Sequence, residues 1–230
     1  MFISIIVPTY QEANTISSLI KYLLLHSSRE TCEIIISDGQ SDDNTVTIAA
    51  EAGAIAVISP ERGRAAQMNY GASLAKGSIL YFIHADSIPP PHFIIDIQNS
   101  IQNNFLFGRY QTKFDSNKFI LKLNAFFTRF DMFMCYGGDQ TLFIEKKLFN
   151  TIGGFNASML IMEDYEIVLR AKKLARYAIL PAKALISARK YETNSWYMVQ
   201  KANYTIVKMY KKGASQEEMV KRYKEMLIYR

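Results

Sequence analysis

The chain has 230 residues, 49% of them hydrophobic, which is enough for one large domain with a full core. Its net charge of +6, from 27 basic and 21 acidic residues, suits an anionic small molecule, nucleic acid and an anionic membrane surface equally. Cys32 and Cys135 lie far apart, without the spacing of a zinc site or a disulfide framework. We therefore expect reduced thiols in a cytosolic compartment.

The N-terminus resembles a first strand rather than a targeting segment. Residues 1–7 run directly into Pro8, without the basic start and longer apolar core of a signal peptide. The most apolar region, 126–136, is interrupted by Arg129 and Asp131 and is far shorter than the ~20 residues of a spanning helix. These features predict a cytoplasmic protein whose membrane contact, if any, is peripheral at the inner face.

The first half of the chain alternates β-branched runs with amphipathic segments. Strands are predicted at 3–7, 33–37, 55–58 and 79–83. Helices are predicted after an N-cap at Asn14, over 43–53, over 63–75 and after the prolines 89–91. This alternation predicts an α/β fold with a largely parallel central sheet and helices on both faces.

The second half is more mixed. Strands are predicted at 105–111, 140–144 and 178–180, and helices over 118–130 and 164–175. We predict a main domain at 1–195 and a basic, aromatic, helical C-terminal extension at 196–230, which carries eight Lys/Arg against three Glu. The extension has three alternative roles: lying on an anionic membrane, packing on the domain, or forming a homodimer.

Polar strings follow the predicted strands, where ligands bind in open α/β sheets. Strand one is followed by 8–12, strand two by 38–42 and strand four by 84–86. Arg62 and Arg64 precede a helix N-terminus, where backbone N–H groups and guanidinium groups favour a diphosphate. Glu163 and Asp164 begin a later helix.

Residues 2–192 resemble the family 2 glycosyltransferases. In that family the first strand ends in Pro-x-Tyr/Phe-Asn-Glu, the second in an acidic-glycine turn, and the fourth in a short Asp-x-Asp metal string. The longer strings at 63–71, 82–86, 138–140 and 162–164 resemble a bacterial subgroup, some of whose members are linked to arsenosugar pathways. The resemblance implies a GT-A fold and transfer of a sugar, with inversion, from a nucleotide-diphosphate donor to an acceptor hydroxyl.

The metal string here is His84-Ala85-Asp86. Asp86 is the predicted ligand of Mn²⁺ or Mg²⁺, since such ions are usually held by one or two carboxylates plus substrate phosphates. The alternative is an Asp that caps the turn before Pro89. His84 replaces the commoner Asp, so Asp86 is expected to bind the ion together with water and phosphate oxygens. The imidazole of His84 has two alternative roles: a hydrogen bond to the ribose or to the sugar, or a purely structural role at the strand end.

The other predicted roles follow the same resemblance. Asp38 is expected to accept hydrogen bonds from the base or ribose, and Tyr10 to pack on the base or simply within the fold. Asp164 is the predicted general base, the alternative being a residue that caps its helix, and Glu163 is expected to orient the base or the donor sugar. Residues 138–140 are expected to line the acceptor pocket. The full set of predicted substrate-binding residues is Pro8, Tyr10, Glu12, Asp38, Arg64, His84, Ala85, Glu163 and Arg189, the last closing over the pyrophosphate.

Two rival functions are weighed against sugar transfer. A nucleotidyltransferase also presents acidic residues and a metal at a parallel sheet edge, but it usually carries a glycine-rich loop after strand one, and residues 8–14 contain no glycine. A non-catalytic nucleic-acid-binding module could use the basic tail for stacking and phosphate contacts. The tail has no recognised binding motif, so the expected partners are a nucleotide-diphosphate sugar and an unknown hydroxyl acceptor rather than nucleic acid.

Overall fold

A computed structural model describes residues 1–136 and 141–228 and contains one eight-stranded sheet. The strands run in the spatial order β3-β2-β1-β4-β7-β6-β8-β5. Their bounds are Ile3–Thr9 (β1), Cys32–Asp38 (β2), Ile55–Ile58 (β3), Ile79–Phe82 (β4), Ser87–Ile88 (β5), Phe107–Phe114 (β6), Leu142–Glu145 (β7) and Tyr177–Ile186 (β8).

The first four strands pair in parallel, with β1 between β2 and β4 and β3 outside β2. Strand β7 joins β4 and β6 by antiparallel pairing, β6 and β8 are parallel, and the short β5 closes the edge antiparallel to β8. The predicted α/β fold with a mostly parallel central sheet is confirmed.

The helices are short and lie between or after the strands. Their bounds are Ile16–Leu25 (α1), Thr45–Glu51 (α2), Arg64–Leu74 (α3), Phe93–Gln102 (α4), Phe119–Phe127 (α5), Lys146–Thr151 (α6), Glu163–Ala171 (α7), Lys190–Thr193 (α8), Trp196–Lys211 (α9) and Gln216–Met226 (α10). A 3₁₀ turn spans Phe133–Cys135.

Two apolar cores cover the two faces of the sheet, because neighbouring residues of a strand point to opposite faces. Ile5 of β1 belongs to the core that contains α1 and α4, with Leu23 and Ile97. Ile6 belongs to the core that contains α3, α6 and α7, with Met68 and Val168. Helices therefore cover both faces, as the sequence predicts.

The tail turns its apolar side toward the rest of the chain. Val199 and Ala202 of α9 are buried together with Leu121 of α5. Ile206 of α9 and Met219 of α10 are buried in a further cluster. Among the helices of the described residues, none has the length and hydropathy needed to cross a bilayer.

Several details differ from the predictions. The N-cap of α1 is Thr15 rather than Asn14, and the Thr15 hydroxyl donates to the Glu12 carboxylate at 2.6 Å. The strand predicted at 178–180 extends through ten residues, Pro181 included, because β6 and β5 pair along it. The strand predicted at 140–144 begins at Leu142, and Gln140 lies outside the described residues. Strand β5 and helices α6 and α8 were not predicted. Both cysteines are free and buried.

Candidate active site

One cleft of about 210 Å³ collects eight of the predicted site residues. It lies at the carboxyl ends of β1 and β4, which fall at the same edge because these strands are parallel neighbours with Ile6 opposite Phe82. The cleft is lined by Pro8, Tyr10, Glu12, Arg64, His84, Ala85, Asp86 and Arg189, together with Thr9 and Gln67. A wider, mostly apolar groove along α10 contains none of the predicted site residues.

Asp38 lies beneath this cleft and ties two loops together. It is fully buried at the end of β2, opposite Thr9 of β1. Its carboxylate accepts hydrogen bonds from the Thr9 hydroxyl at 2.9 Å and from the backbone N–H and hydroxyl of Ser41, both at 2.7 Å. These bonds fix the edge of the sheet. The predicted contact of Asp38 with a base or ribose stays a prediction.

The loop after β1 is held in a sharp turn against the loop after β2. Gln11 adopts a left-handed φ of 56° and its backbone N–H donates to the Ser41 hydroxyl at 2.7 Å. The next residue, Glu12, donates its backbone N–H to Thr45 at 2.9 Å. Tyr10 is thereby left half exposed at the cleft, with the Arg62 guanidinium 5.8 Å from the centre of its ring.

Arg189 joins two carboxylates at the centre of the cleft. Its Nη2 lies 3.2 Å from Oε1 of Glu12 and 3.2 Å from Oδ2 of Asp86. The carboxylates are mostly buried, whereas the arginine side chain is 59% exposed. Arg189 is brought to this position because the Ser187 N–H donates to the Asp86 carbonyl at 3.3 Å, which ties the end of β8 to the segment after β4. His84 is half-buried in the same segment.

A second ion pair connects the cleft to α7. Arg64, in the first turn of α3, places its Nε 2.9 Å from Oε1 of Glu163, whose side chain is 2% exposed. Glu163 is the first residue of α7, and Asp164, the predicted base, follows it in the first turn, half-buried. The Arg64–Glu163 ion pair therefore ties the start of α7 to the cleft, because Arg64 lines the cleft. Asp164 is the residue after Glu163. Asp164 is not the N-cap of α7, because Met162 holds that position with a left-handed φ of 71°.

The start of α7 is also fixed through its preceding loop. Asn69 of α3 donates to the Phe155 carbonyl at 2.8 Å and accepts from the Phe155 N–H at 2.9 Å. Gly154 lies beside it with a φ of 69°, and a Cβ there would lie 2.7 Å from the Asn69 side-chain oxygen. Any other residue would thus disturb the contact between α3 and this loop.

The residues at the cleft fit a divalent ion held by a single carboxylate. The carboxylates of Glu12 and Asp86 both face one cationic nitrogen of Arg189. Because two negative charges meet one positive charge, this point of the cleft favours a further positive charge. Across residues 1–136 and 141–228, however, no group of three or more His, Cys, Asp or Glu side chains is arranged to hold a metal. An ion here would bind Asp86 and complete its coordination with phosphate oxygens and water, as Mg²⁺ commonly does.

Gln67 is a functional candidate that the sequence analysis missed. It is buried on α3, and its amide donates to the carbonyls of Thr9 at 2.6 Å and Ser37 at 2.9 Å. Seen in the sequence alone, a polar residue within a helix such as Gln67 looks like a surface residue. Only the small, buried residues around Gln67 indicate that its side chain is buried. Residues 138–140, predicted to line the acceptor pocket, lie outside the described residues.

Comparison with known families agrees with this arrangement. The family described as "Glycosyl transferase family 2" matches residues 4–160, which is more than half of the chain. An uncharacterized glycosyltransferase of Haemophilus influenzae is 26% identical over 180 residues, which cover 73% of this chain and 61% of the relative. The chain thus spans about three fifths of that relative.

Solved structures share the fold at low sequence identity. One is the mannosyltransferase PcManGT of Pyrobaculum calidifontis in complex with GDP-Man and Mn²⁺. The match covers 89% of this chain and 61% of the PcManGT chain, with a TM-score of 0.69 and 16% identity. Another is S. aureus TarS 1-349 in complex with UDP-GlcNAc. The match covers 82% of this chain and 59% of the TarS chain, with a TM-score of 0.68 and 19% identity.

The sheet, the two helical layers and the cleft at the ends of β1 and β4 define a GT-A fold. The chain belongs to glycosyl transferase family 2. Both predictions made from the sequence, the fold and the family, are confirmed.

Proposed function

We propose that this chain transfers a sugar from a nucleotide-diphosphate donor to an acceptor hydroxyl, with inversion at the anomeric carbon. The observation that carries the proposal is the convergence of Glu12, Asp86, Arg64 and Arg189 at one cleft formed by the ends of β1 and β4. Ligands bind at such edges in α/β sheets. The two solved structures, bound to GDP-Man and UDP-GlcNAc, support a nucleotide sugar as the ligand.

In this proposal the nucleoside lies over the β1 and β2 edges. Tyr10 offers an exposed ring next to the fixed turn at Gln11, so a base can stack on it. The shape and polarity of that edge come from Pro8, Glu12, Asp38 and Ala85. His84 faces the ribose or the sugar. Asp38 acts chiefly through the loop that it holds, because its carboxylate already accepts three hydrogen bonds within the protein.

The diphosphate is assigned to the centre of the cleft. Arg64 and Arg189 present guanidinium groups there, and guanidinium forms strong charge-assisted bonds with phosphate oxygens. Asp86 would hold Mn²⁺ or Mg²⁺ together with those oxygens, and the ion would supply charge neutralisation for the departing diphosphate. The complex of PcManGT with Mn²⁺ supports a divalent ion.

The chemistry requires a separate proton acceptor. The acceptor oxygen forms a bond to the anomeric carbon while the bond from that carbon to the phosphate oxygen breaks, and the nucleoside diphosphate leaves with the electron pair. The hydroxyl proton passes to the Asp164 carboxylate. Glu163 would orient Asp164 through its ion pair with Arg64, which itself lines the cleft.

We also propose that the chain belongs to the bacterial subgroup with arsenosugar links. The strings at 63–71 and 82–86 lie on α3 and at the β4 edge and contribute residues to the cleft, and the string at 162–164 lies at the start of α7, which is joined to the cleft by the Arg64–Glu163 ion pair. Their resemblance to the bacterial subgroup with arsenosugar links is the support for this finer assignment.

The proposal is tested by incubating the protein with UDP-, GDP- and dTDP-sugars and Mn²⁺ while following release of nucleoside diphosphate and formation of sugar-bearing product. We expect at least one donor to raise the unfolding temperature and to release nucleoside diphosphate. A nucleotidyltransferase would instead release pyrophosphate from a nucleoside triphosphate and a sugar phosphate. Tight, steeply salt-dependent binding of oligonucleotides with no response to any nucleotide sugar would contradict sugar transfer.

A further inference from the structure

Helix α5 and the segment after it expose many large apolar side chains. Leu121 is the buried side chain of α5, although the helix is rich in Phe and Leu. Seven large apolar side chains between 119 and 134 are each at least 41% exposed. We name this set the α5 face: Phe119, Leu123, Phe126, Phe127, Phe130, Met132 and Met134. A concentration of exposed apolar side chains of this size indicates an interaction site.

Three of these rings form an ordered cluster. Phe126, Phe127 and Phe130 contact one another with centroid distances of 5.7, 6.0 and 6.4 Å. The Arg129 guanidinium lies 3.9 Å from the centre of the Phe126 ring. The aromatic surface is therefore bordered by a cation at close range.

The surroundings of the α5 face are basic. Lys113, Lys118, Lys122 and Arg129 are exposed on or beside it, against two acids, Asp115 and Asp131. Asp131 is neutralised locally, because Nζ of Lys172 lies 2.7 Å from its carboxylate. Basic side chains next to an anionic leaflet strengthen membrane binding.

We propose that the α5 face docks on an anionic lipid bilayer, with the Phe and Met side chains entering the interface and the basic residues contacting headgroups. Charge complementarity selects this partner over a second copy of the chain, because a two-fold contact would bring these basic residues against each other. Helix α5 spans nine residues, which fits a helix lying on the bilayer rather than crossing it.

The structure also favours the α5 face over the C-terminal tail as the docking surface. Val199, Ala202, Ile206 and Val207 of α9 are buried against the domain. The tail's exposed aromatics, Tyr197 and Tyr204, have no comparable ring cluster among the described contacts. This proposal does not rest on the proposed function.

Flotation with vesicles tests the proposal. The variant Phe126→Gln/Phe127→Gln/Phe130→Gln is compared with the control Tyr197→Gln/Tyr204→Gln on α9, using phosphatidylcholine vesicles with and without phosphatidylserine. We expect the wild type and the control to float with the anionic vesicles at low salt and the triple variant to lose at least about tenfold in partitioning. Unfolding temperatures verify that both variants are folded, and an emission blue shift of Phe126→Trp on anionic vesicles provides a second readout.

Three results would overturn the proposal. The first is recovery of all wild-type protein in the soluble fraction with anionic vesicles at low salt. The second is flotation that the α9 control abolishes and the triple variant retains, which would assign docking to the tail. The third is a concentration-dependent dimer that the triple variant dissociates, in place of vesicle binding, which would show that a second copy covers the α5 face.

Discussion

Asp164 is the residue on which the proposed chemistry depends. It lies in the first turn of α7, where helix dipole and backbone N–H groups favour a carboxylate. We expect Asp164→Asn to leave donor binding nearly intact and to lower transfer by roughly 10²–10⁴-fold, the usual contribution of a positioned general base. Single-turnover kinetics and calorimetry separate the two effects.

The control for Asp164→Asn is a variant of a carboxylate in the same position of another helix. Glu217 lies in the first turn of α10, away from the cleft, so Glu217→Gln should leave transfer unchanged. If Asp164 served only the helix, its loss would cost about 0.3–1 kcal/mol of stability and activity would fall only with folding. A folded Asp164→Asn variant with near wild-type transfer would exclude the base role and direct attention to Glu163.

Gln67 illustrates why part of the site escapes sequence reasoning. The strand edges were predictable because β-branched runs end in polar strings, and parallel strands bring those strings together. The Gln67 contacts to Thr9 and Ser37 depend on how α3 packs on the sheet, which no local pattern encodes. Arg189 was placed only by resemblance, since its position depends on the pairing of β5 with β8 and on the contact of Ser187 with Asp86.

We expect Gln67→Leu to lower the free energy of unfolding by about 1–3 kcal/mol, because two buried carbonyls each lose a donor. The matched control is Gln98→Leu, which removes a bond to the Met1 carbonyl at the surface and should change stability by no more than about 0.5 kcal/mol. Urea unfolding measures both variants. Equal losses in the two would show that the Gln67 bridge does not stabilise the cleft edge.

At the scale of elements, a polar cluster fixes the segment from Asp131 to Tyr136 against the end of α7. Nζ of Lys172 donates to both Asp131 oxygens at 2.8 and 2.7 Å and to the Tyr136 hydroxyl at 2.7 Å. The Tyr136 hydroxyl donates to Asp131 at 2.5 Å. Partial burial alone would raise the pKa of Asp131, but the hydrogen bonds from Lys172 and Tyr136 outweigh it and the pKa is lowered.

A carboxyl with a lowered pKa stabilises the fold above its ordinary pKa, and this stabilisation is lost as pH falls through the lowered value. We therefore expect Asp131→Asn to be less stable than the wild type at pH 7, by no more than about 1 kcal/mol because the pair is partly exposed. The difference should vanish in strong acid. Thermal unfolding between pH 2 and pH 7 checks this.

The exposed pair Arg222–Glu225 provides the comparison, since Glu225→Gln should change stability at pH 7 by no more than about 0.5 kcal/mol. A loss for Asp131→Asn that is the same at pH 2 and pH 7 would mean that the cluster does not act through the charge of Asp131.

At the scale of the whole molecule, the cleft is assembled from distant parts of the chain. Glu12 and Asp86 come from the first half of the sheet, whereas Arg189 follows β8 and reaches them through the Ser187–Asp86 contact. Sequence patterns were informative for the first half, where strands and helices alternate regularly. They were less informative for β5 and the length of β8, because these strands depend on pairing between segments far apart in the chain.

Binding of a nucleoside diphosphate in this cleft is tested most directly by calorimetric titration of UDP and GDP with Mn²⁺ and with a chelator, in the wild type and in Asp86→Ala. A single carboxylate needs phosphate oxygens to complete the coordination of an ion, so the ion and the diphosphate should bind together. We predict tighter binding with Mn²⁺ in the wild type and no effect of Mn²⁺ in Asp86→Ala. Equal affinity of a bound nucleotide with Mn²⁺ and with chelator in the wild type would contradict the account.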